Sequence, residues 1–264
     1  MKIGFIGCGN MATAMLGGIL SKQLVDKTDL LASAKSEKTR TRIREEIGIR
    51  AEESNAAVAA EADVLILAIK PIYMEEVIRE IRSAVRPETI VVTLAPGKTI
   101  SWLAEAFAKP VKLVRTMPNT PALVGEGMTA LCPNAEVTED ELHTVLTIFN
   151  SFGKTQVVTE PMIDVVVGVS GSSPAYVFLF IEAMADAAVA DGMPRAQAYE
   201  FAAQSVLGSA KMVLETGRHP GELKDMVCSP GGTTIEAVRV LEEKGFRSAV
   251  IEAQKACVKK ARGL

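Results

Sequence analysis

The sequence predicts an α/β chain in which a doubly wound, mainly parallel sheet is followed by an all-α domain. Three observations carry that prediction. Residues 2–22, KIGFIGCGNMATAMLGGILSK, read as a short buried strand, a glycine turn and a helix. Asp63–Ile69 and Ile90–Leu94 are continuous apolar runs, as in strands covered on both faces, rather than alternating ones. Beyond Glu160 the alternation of strand and helix gives way to helical patterns alone. The expected domains are therefore 1–159 and 160–264.

Composition narrows the function classes. A chain of 264 residues has room for two ordinary domains, and 48% hydrophobic with 23% charged residues is ordinary for a soluble chain, tilted toward burial between subunits. A net charge of −3 supplies no basic field for nucleic acid or an anionic membrane surface. No apolar run reads as long and uncharged enough to span a bilayer. Cys8, Cys132, Cys228 and Cys257 are scattered without a C-x-x-C pair, and His143 and His219 are the only histidines, so no metal site is expected. A reduced, cytoplasmic setting and a small-molecule substrate are the expectation.

In the opening stretch, Gly7-Cys8-Gly9-Asn10-Met11-Ala12 matches the G-x-G-x-x-G/A dinucleotide fingerprint of a Rossmann-type sheet. Gly7 makes the tight turn, Gly9 lets a pyrophosphate reach the backbone, and Ala12 keeps the new helix close to its strand. The N–H groups of the helix start then face the anion. The alternatives are a purely structural turn, or a cleaved leader ending at Ala12-Thr13-Ala14. Against the leader, Gly7, Gly9 and Asn10 interrupt the apolar run, and the amphipathic pattern continues past Ala14.

The second strand, Leu30–Ala34, ends at the adenine ribose. Asp29 precedes it, at the wrong end for a ribose diol, whereas Ser33 and Lys35, with Lys38 and Arg40 behind, suit a 2′-phosphate. NADPH is the expected cofactor, with NADH as the weaker alternative. A helix over Glu37–Glu46 and a strand near Ile49 lead to Ser54, which caps an alanine-rich helix, and to Asn55, within reach of the cofactor.

The next strand ends in Ala68-Ile69-Lys70-Pro71 at the carboxyl edge, where open α/β sheets bind ligands, and Pro71 opens a helix through Arg86. Ile90–Leu94 ends at Ala95-Pro96-Gly97, and Lys112–Arg115 runs into Thr116–Pro121. Those turns wall the nicotinamide pocket, with Ala95 and Gly97 among the cofactor contacts. Trp102 packs on the intervening helix. Thr129–Cys132 and Gly153–Val158 read as late edge strands on either side of an amphipathic helix, Thr138–Ser151, that holds His143 in solvent.

In the helical part, Ser170–Tyr176 reads as a serine cap with Pro174 in the first turn of a helix to Asp191. That helix is apolar nearly all round and must be buried. Further helices follow at 194–215, 220–227, 234–244 and 246–262. Such a set completes its core with another subunit, so a homodimer is the minimum unit. Between two of the helices, Ser229, Gly231, Gly232, Thr233 and Thr234 offer backbone N–H groups and hydroxyls suited to a small carboxylate. Spacing alone equally fits an ordinary capped glycine turn.

The segments GFIGCGNMA, LAIKP, RTMPNTPA, SGSSPAY and above all LKDMVCSPGGTTIEAV at Leu223–Val238 together resemble the Δ1-pyrroline-5-carboxylate reductases, and the likeness spans the whole chain. It implies an NADPH-preferring Rossmann domain and an all-α dimerisation domain, with dimers assembling into larger rings such as decamers. The implied reaction is hydride transfer to the imine carbon of 1-pyrroline-5-carboxylate, giving L-proline in the last step of proline biosynthesis. The cofactor contacts implied are Gly7, Cys8, Gly9, Asn10, Met11, Ser33, Asn55 and Ala68 to Pro71. The serine-rich turn and the S-P-G-G-x-T loop would take the substrate, with Thr234 hydrogen-bonding its ring nitrogen. Ala34-Lys35-Ser36 departs from the proline-bearing turn that many members carry. Two rivals fit less well. A β-hydroxyacid dehydrogenase-like NADP enzyme needs a lysine on the first long helix of the second domain, and Ala175–Ala183 has none. A non-catalytic NADP-sensing oligomeric scaffold leaves the substrate loop without a task.

Overall fold

The structure, a computed structural model, describes residues 1–94 and 96–263. The chain forms two compact units, Met1–Ser172 together with the chain end from Cys257, and Ser173–Ala256.

In the first unit, strands β1 (Ile3–Ile6), β2 (Leu30–Ser33), β3 (Arg50–Glu52), β4 (Val64–Leu67), β5 (Ile90–Thr93), β6 (Lys112–Met117), β7 (Gly127–Pro133) and β8 (Gly153–Val157) share one sheet. Their order is β3-β2-β1-β4-β5-β6-β7-β8. The first six run parallel, and the order reverses beside β1, the switch point at which doubly wound sheets bind ligands. Strand β7 is antiparallel to β6, and β8 is parallel to β7. Only a short turn through Thr120–Val124 joins β6 to β7, too little chain for a parallel crossover. Strand β7 is therefore interior, not an edge as expected, and β8 alone closes that side.

Helices α1 (Asn10–Ser21), α2 (Glu37–Arg42), α3 (Asn55–Glu61), α4 (Met74–Ile81), α5 (Ile100–Phe107), α6 (Glu139–Phe149) and α7 (Glu160–Val166) complete this unit. Phe5, Met15, Ile19, Phe149 and Phe152 fill the core on one side of the sheet, and Leu65, Leu67, Ile78, Leu103 and Phe107 fill the other. Helix α4 stops at Ile81 rather than Arg86, giving way to a turn in which the Ala84 N–H donates to the Ile81 carbonyl at 2.8 Å, and the Arg86 guanidinium donates to the Ala62 carbonyl at 3.1 Å and to Asp63 at 2.8 Å. Buried Arg115 on β6 pairs with Glu160 at 3.1 Å and Asp164 at 3.3 Å, fastening α7 to the sheet.

The second unit holds α8 (Ser173–Ala190), α9 (Arg195–Thr216), α10 (Pro220–Val227), α11 (Thr233–Glu243) and most of α12 (Phe246–Ala261). Helices α7 and α8 run on through a π turn, Val167–Gly171, so the expected separate serine-capped start is absorbed into one helical stretch. That stretch, Glu160–Ala190, has a mean hydropathy of 1.5 over its most apolar window and is long and apolar enough to cross a bilayer, which corrects the expectation that no run is. Nor is α8 buried. Ala185 is its one buried residue, while Phe178 and Leu179 stand 64% and 68% exposed. Its composition demands burial, and the surface that would bury it is not present within one copy. Inside the unit, Asp186 pairs with Arg195 at 2.5 Å, and the rings of Phe180 and Phe246 lie 6.0 Å apart.

Candidate active site

The site is built outward from the glycine turn after β1. Gly7 has φ +86°, and a Cβ there would meet the Ala68 carbonyl oxygen at 2.7 Å, so no other residue fits without displacement. Gly9 is the opposite case. It caps α1 without any side-chain hydrogen bond, and a Cβ added to it would meet nothing within 4 Å. The first-turn N–H groups of α1 thus face open space, and Ala12 is buried below them. An uncapped 12-residue helix opening onto a void at the switch point has the shape and polarity to hold a pyrophosphate.

Two cavities meet at this point. The larger, about 590 Å³, is bounded by Gly7 to Gly9, Ser33 to Ser36, Asn55 and one face of α4. The smaller, about 260 Å³, is bounded by Gly9 to Ala12, Ala68 to Lys70, Leu94, Met117 and Pro118. They share Gly9 and Ile69, making one trough across the carboxyl ends of the central strands. Asn119 steadies its far wall, donating from Nδ2 to the Ser170 carbonyl at 3.0 Å and accepting from the Met128 N–H at 2.8 Å.

Of the residues assigned to the cofactor from sequence, Gly7, Cys8, Gly9, Asn10, Met11, Ser33, Lys35, Asn55, Ala68, Ile69 and Lys70 line this trough. Pro71 and Gly97 line neither cavity, and Ala95 lies outside the described residues. Pro71 opens a tight turn that Lys70 caps, so its task there is to set the backbone. Asp29 sits at the amino end of β2, as read from the sequence, 4.0 Å from the terminal amine. The basic cluster behind Ser33 divides. Lys35 faces the cavity, whereas Arg40 turns inward, donating to the carbonyls of Ala34 at 2.9 Å and Lys35 at 3.1 Å, and Lys38 lines neither cavity. Arg40 therefore shapes the loop rather than offering its charge to a ligand.

Sequence reasoning missed Arg42 and the α4 face. Arg42 Nη2 donates to the Cys8 carbonyl at 2.5 Å, tying α2 to the glycine turn. Burial pushes the Cys8 thiol up, against the opposing Arg42 charge, so Cys8 stays protonated and fills space. Tyr73, Glu76, Val77 and Glu80 recur at the spacing of one helical face and wall the larger cavity. Their mixed chemistry hides them from any search for apolar periodicity.

The hydroxyl-rich loop belongs to the second unit. Cys228 ends α10, Gly231 turns the chain at φ +68°, and the Gly232 N–H donates to the Ser229 carbonyl at 3.0 Å. Gly232 caps α11 without a side-chain bond, so Thr233 and Thr234 form an open helix start, with Ser229, Gly231 and Thr233 exposed.

Comparison with known proteins bears on both parts. Residues 160–264 match the pyrroline-5-carboxylate reductase dimerisation family, and residues 2–97 match the family described as NADP oxidoreductase coenzyme F420-dependent. Pyrroline-5-carboxylate reductase of Escherichia coli K12 is 58% identical over 263 residues, covering 100% of this chain and 98% of that protein. The Methanosarcina acetivorans enzyme of the same name is 42% identical over 96% of this chain and 93% of its own length. Among solved structures, the Plasmodium falciparum pyrroline carboxylate reductase with NADP bound superposes with a TM-score of 0.90 at 32% identity, covering 100% of this chain and 97% of that one. The chain belongs to the pyrroline-5-carboxylate reductase family.

Proposed function

We infer that the chain reduces the C=N bond of 1-pyrroline-5-carboxylate to give L-proline, with NADPH as the preferred reductant. The observation that supports this most strongly is the trough: two cavities joined over Gly9 at an uncapped helix start, in a chain alike from end to end to reductases of that name. When bound, the reduced nicotinamide supplies the hydride, and the protein supplies position and electrostatics.

Gly7 to Met11 take the pyrophosphate on backbone N–H groups. The larger cavity takes the adenosine half, with Asn55 in its wall and Lys35 directed at the 2′-phosphate, and this favours NADPH over NADH. The smaller cavity takes the nicotinamide against Ile69, Lys70, Met117 and Pro118. On the substrate side, the N–H groups of Gly232 and Thr233 and the hydroxyls of Ser229 and Thr233 hold the carboxylate, and Gly231 permits the turn. Thr234 hydrogen-bonds the ring nitrogen as it becomes tetrahedral. A protonated imine is already electrophilic, so orientation contributes more than acid–base machinery, in keeping with a chain that has only two histidines. Residues 1–159 accordingly serve the dinucleotide and 160–264 serve assembly and substrate.

The exposed apolar face of α8, with Phe178 and Leu179, buries against a second copy, and dimers combine into a larger ring such as a decamer. Light scattering at micromolar concentration is expected to give a dimer or a multiple of it, and a clean monomer would contradict this assembly. Four free cysteines suit a reducing, cytoplasmic setting.

Following NADPH absorbance separates the candidate activities. Loss of signal is expected with pyrroline-5-carboxylate, and none is expected to form from NADP⁺ with a hydroxy acid. The similarity to a Mycobacterium tuberculosis 3-hydroxyisobutyrate dehydrogenase, at 15% identity and a TM-score of 0.53, speaks for the fold alone, and α8 contains no lysine.

A further inference from the structure

The larger cavity contains a hydrogen-bonded chain whose polarity is set at one end. Ser33 Oγ lies 2.7 Å from Asn55 Oδ1, and Asn55 Nδ2 lies 2.8 Å from Glu80 Oε2. All three residues line that cavity. A carboxylate accepts and does not donate, so the amide nitrogen of Asn55 must face Glu80. The amide oxygen then faces Ser33 and draws its single hydroxyl proton. Ser33 is fully buried, and the other acceptor near it, the Phe5 carbonyl, is 3.5 Å away. With Glu80 at its end, the chain keeps the Ser33 proton for Asn55 and leaves an acceptor, the exposed Glu80 carboxylate, in the cavity wall. A ribose 2′-hydroxyl donates to acceptors, whereas a 2′-phosphate needs donors.

We propose that Glu80 is a specificity-determining residue which, by orienting the Asn55 amide and through it the Ser33 proton, lowers the discrimination between NADPH and NADH. This rests on the larger cavity taking the adenosine half of the dinucleotide. In Glu80→Gln the new amide both donates and accepts. Asn55 is then free to turn over and donate to Ser33, and the Ser33 hydroxyl is released to donate to a phosphate oxygen.

The experiment compares kcat/KM for NADPH and for NADH in the unaltered protein, Glu80→Gln and Glu76→Gln. Glu76 lines the same cavity, and its carboxylate is not bonded to Asn55, so its substitution removes equal charge while leaving the relay alone. The NADPH-to-NADH ratio is expected to rise about tenfold in Glu80→Gln, as for one gained charge-assisted hydrogen bond, and less than about threefold in Glu76→Gln. Equal rises in the two variants would reveal a pure charge effect and overturn the relay. An unchanged or lower ratio in Glu80→Gln would overturn it as well. Failure of the underlying functional assignment looks different, since the unaltered protein would then oxidise neither nucleotide.

Discussion

Replacing Gly9 with valine is expected to weaken NADPH binding by about a hundredfold or more while leaving the fold intact. A Cβ at Gly9 meets no protein atom within 4 Å, and its φ of −84° is one that any residue adopts. The fold therefore loses only a modest capping preference, about 1 kcal/mol. The new side chain instead occupies the space above the first-turn N–H groups, where both cavities meet. Losing two charge-assisted hydrogen bonds to a pyrophosphate costs about 3 kcal/mol or more, hence the factor. Calorimetric titration with NADPH, beside a thermal melt, checks both halves. Gly7 would not make so clean a test, because a side chain there strikes the Ala68 carbonyl and the result would mix folding with binding.

Thr234→Ala is expected to lower kcat about a hundredfold with NADPH affinity unchanged, since the proposed role of its hydroxyl is to bond a nitrogen whose basicity grows as the hydride arrives. Such a contact is stronger in the transition state than with bound substrate, so its loss appears in kcat more than in KM. Thr234 is the second residue of α11 and does not cap that helix, so removing the hydroxyl leaves the helix start as it was. Steady-state kinetics with both substrates varied distinguishes the cases. Unchanged turnover would remove Thr234 from the chemistry and leave the loop as a carboxylate clamp.

The parts of this molecule that are legible in the sequence are those in which one local rule suffices. Gly7 and Gly9 announce the turn because backbone conformation and close approach leave few alternatives, and the apolar β4 and β5 announce a sheet covered on both faces. The antiparallel course of β7 follows from the short Thr120–Val124 connection, which is too little chain for a parallel crossover. What stays hidden depends on pairs distant in the chain. Arg42 reaching the Cys8 carbonyl, Asn55 bridging Ser33 and Glu80, and Arg115 fixing α7 have no signature in spacing, since each partner is chosen by tertiary placement. Arg40 shows the converse. Its position beside Ser33 suggests a phosphate ligand, yet its donors are used on the neighbouring carbonyls and on Glu37. Helix α8 is legible as apolar nearly all round and in need of a covering surface from another subunit, and within one copy it stays exposed, because hydrophobicity reports how much surface must be covered and not which residues cover it.

The proposed reduction is tested most directly by following the transferred hydrogen. With NADPH carrying deuterium at the transferable position of nicotinamide C4, pyrroline-5-carboxylate should yield L-proline bearing one deuterium, at C5, detected by mass spectrometry and NMR. Proline formed without the label, or NADPH consumed with no proline appearing, would contradict the account.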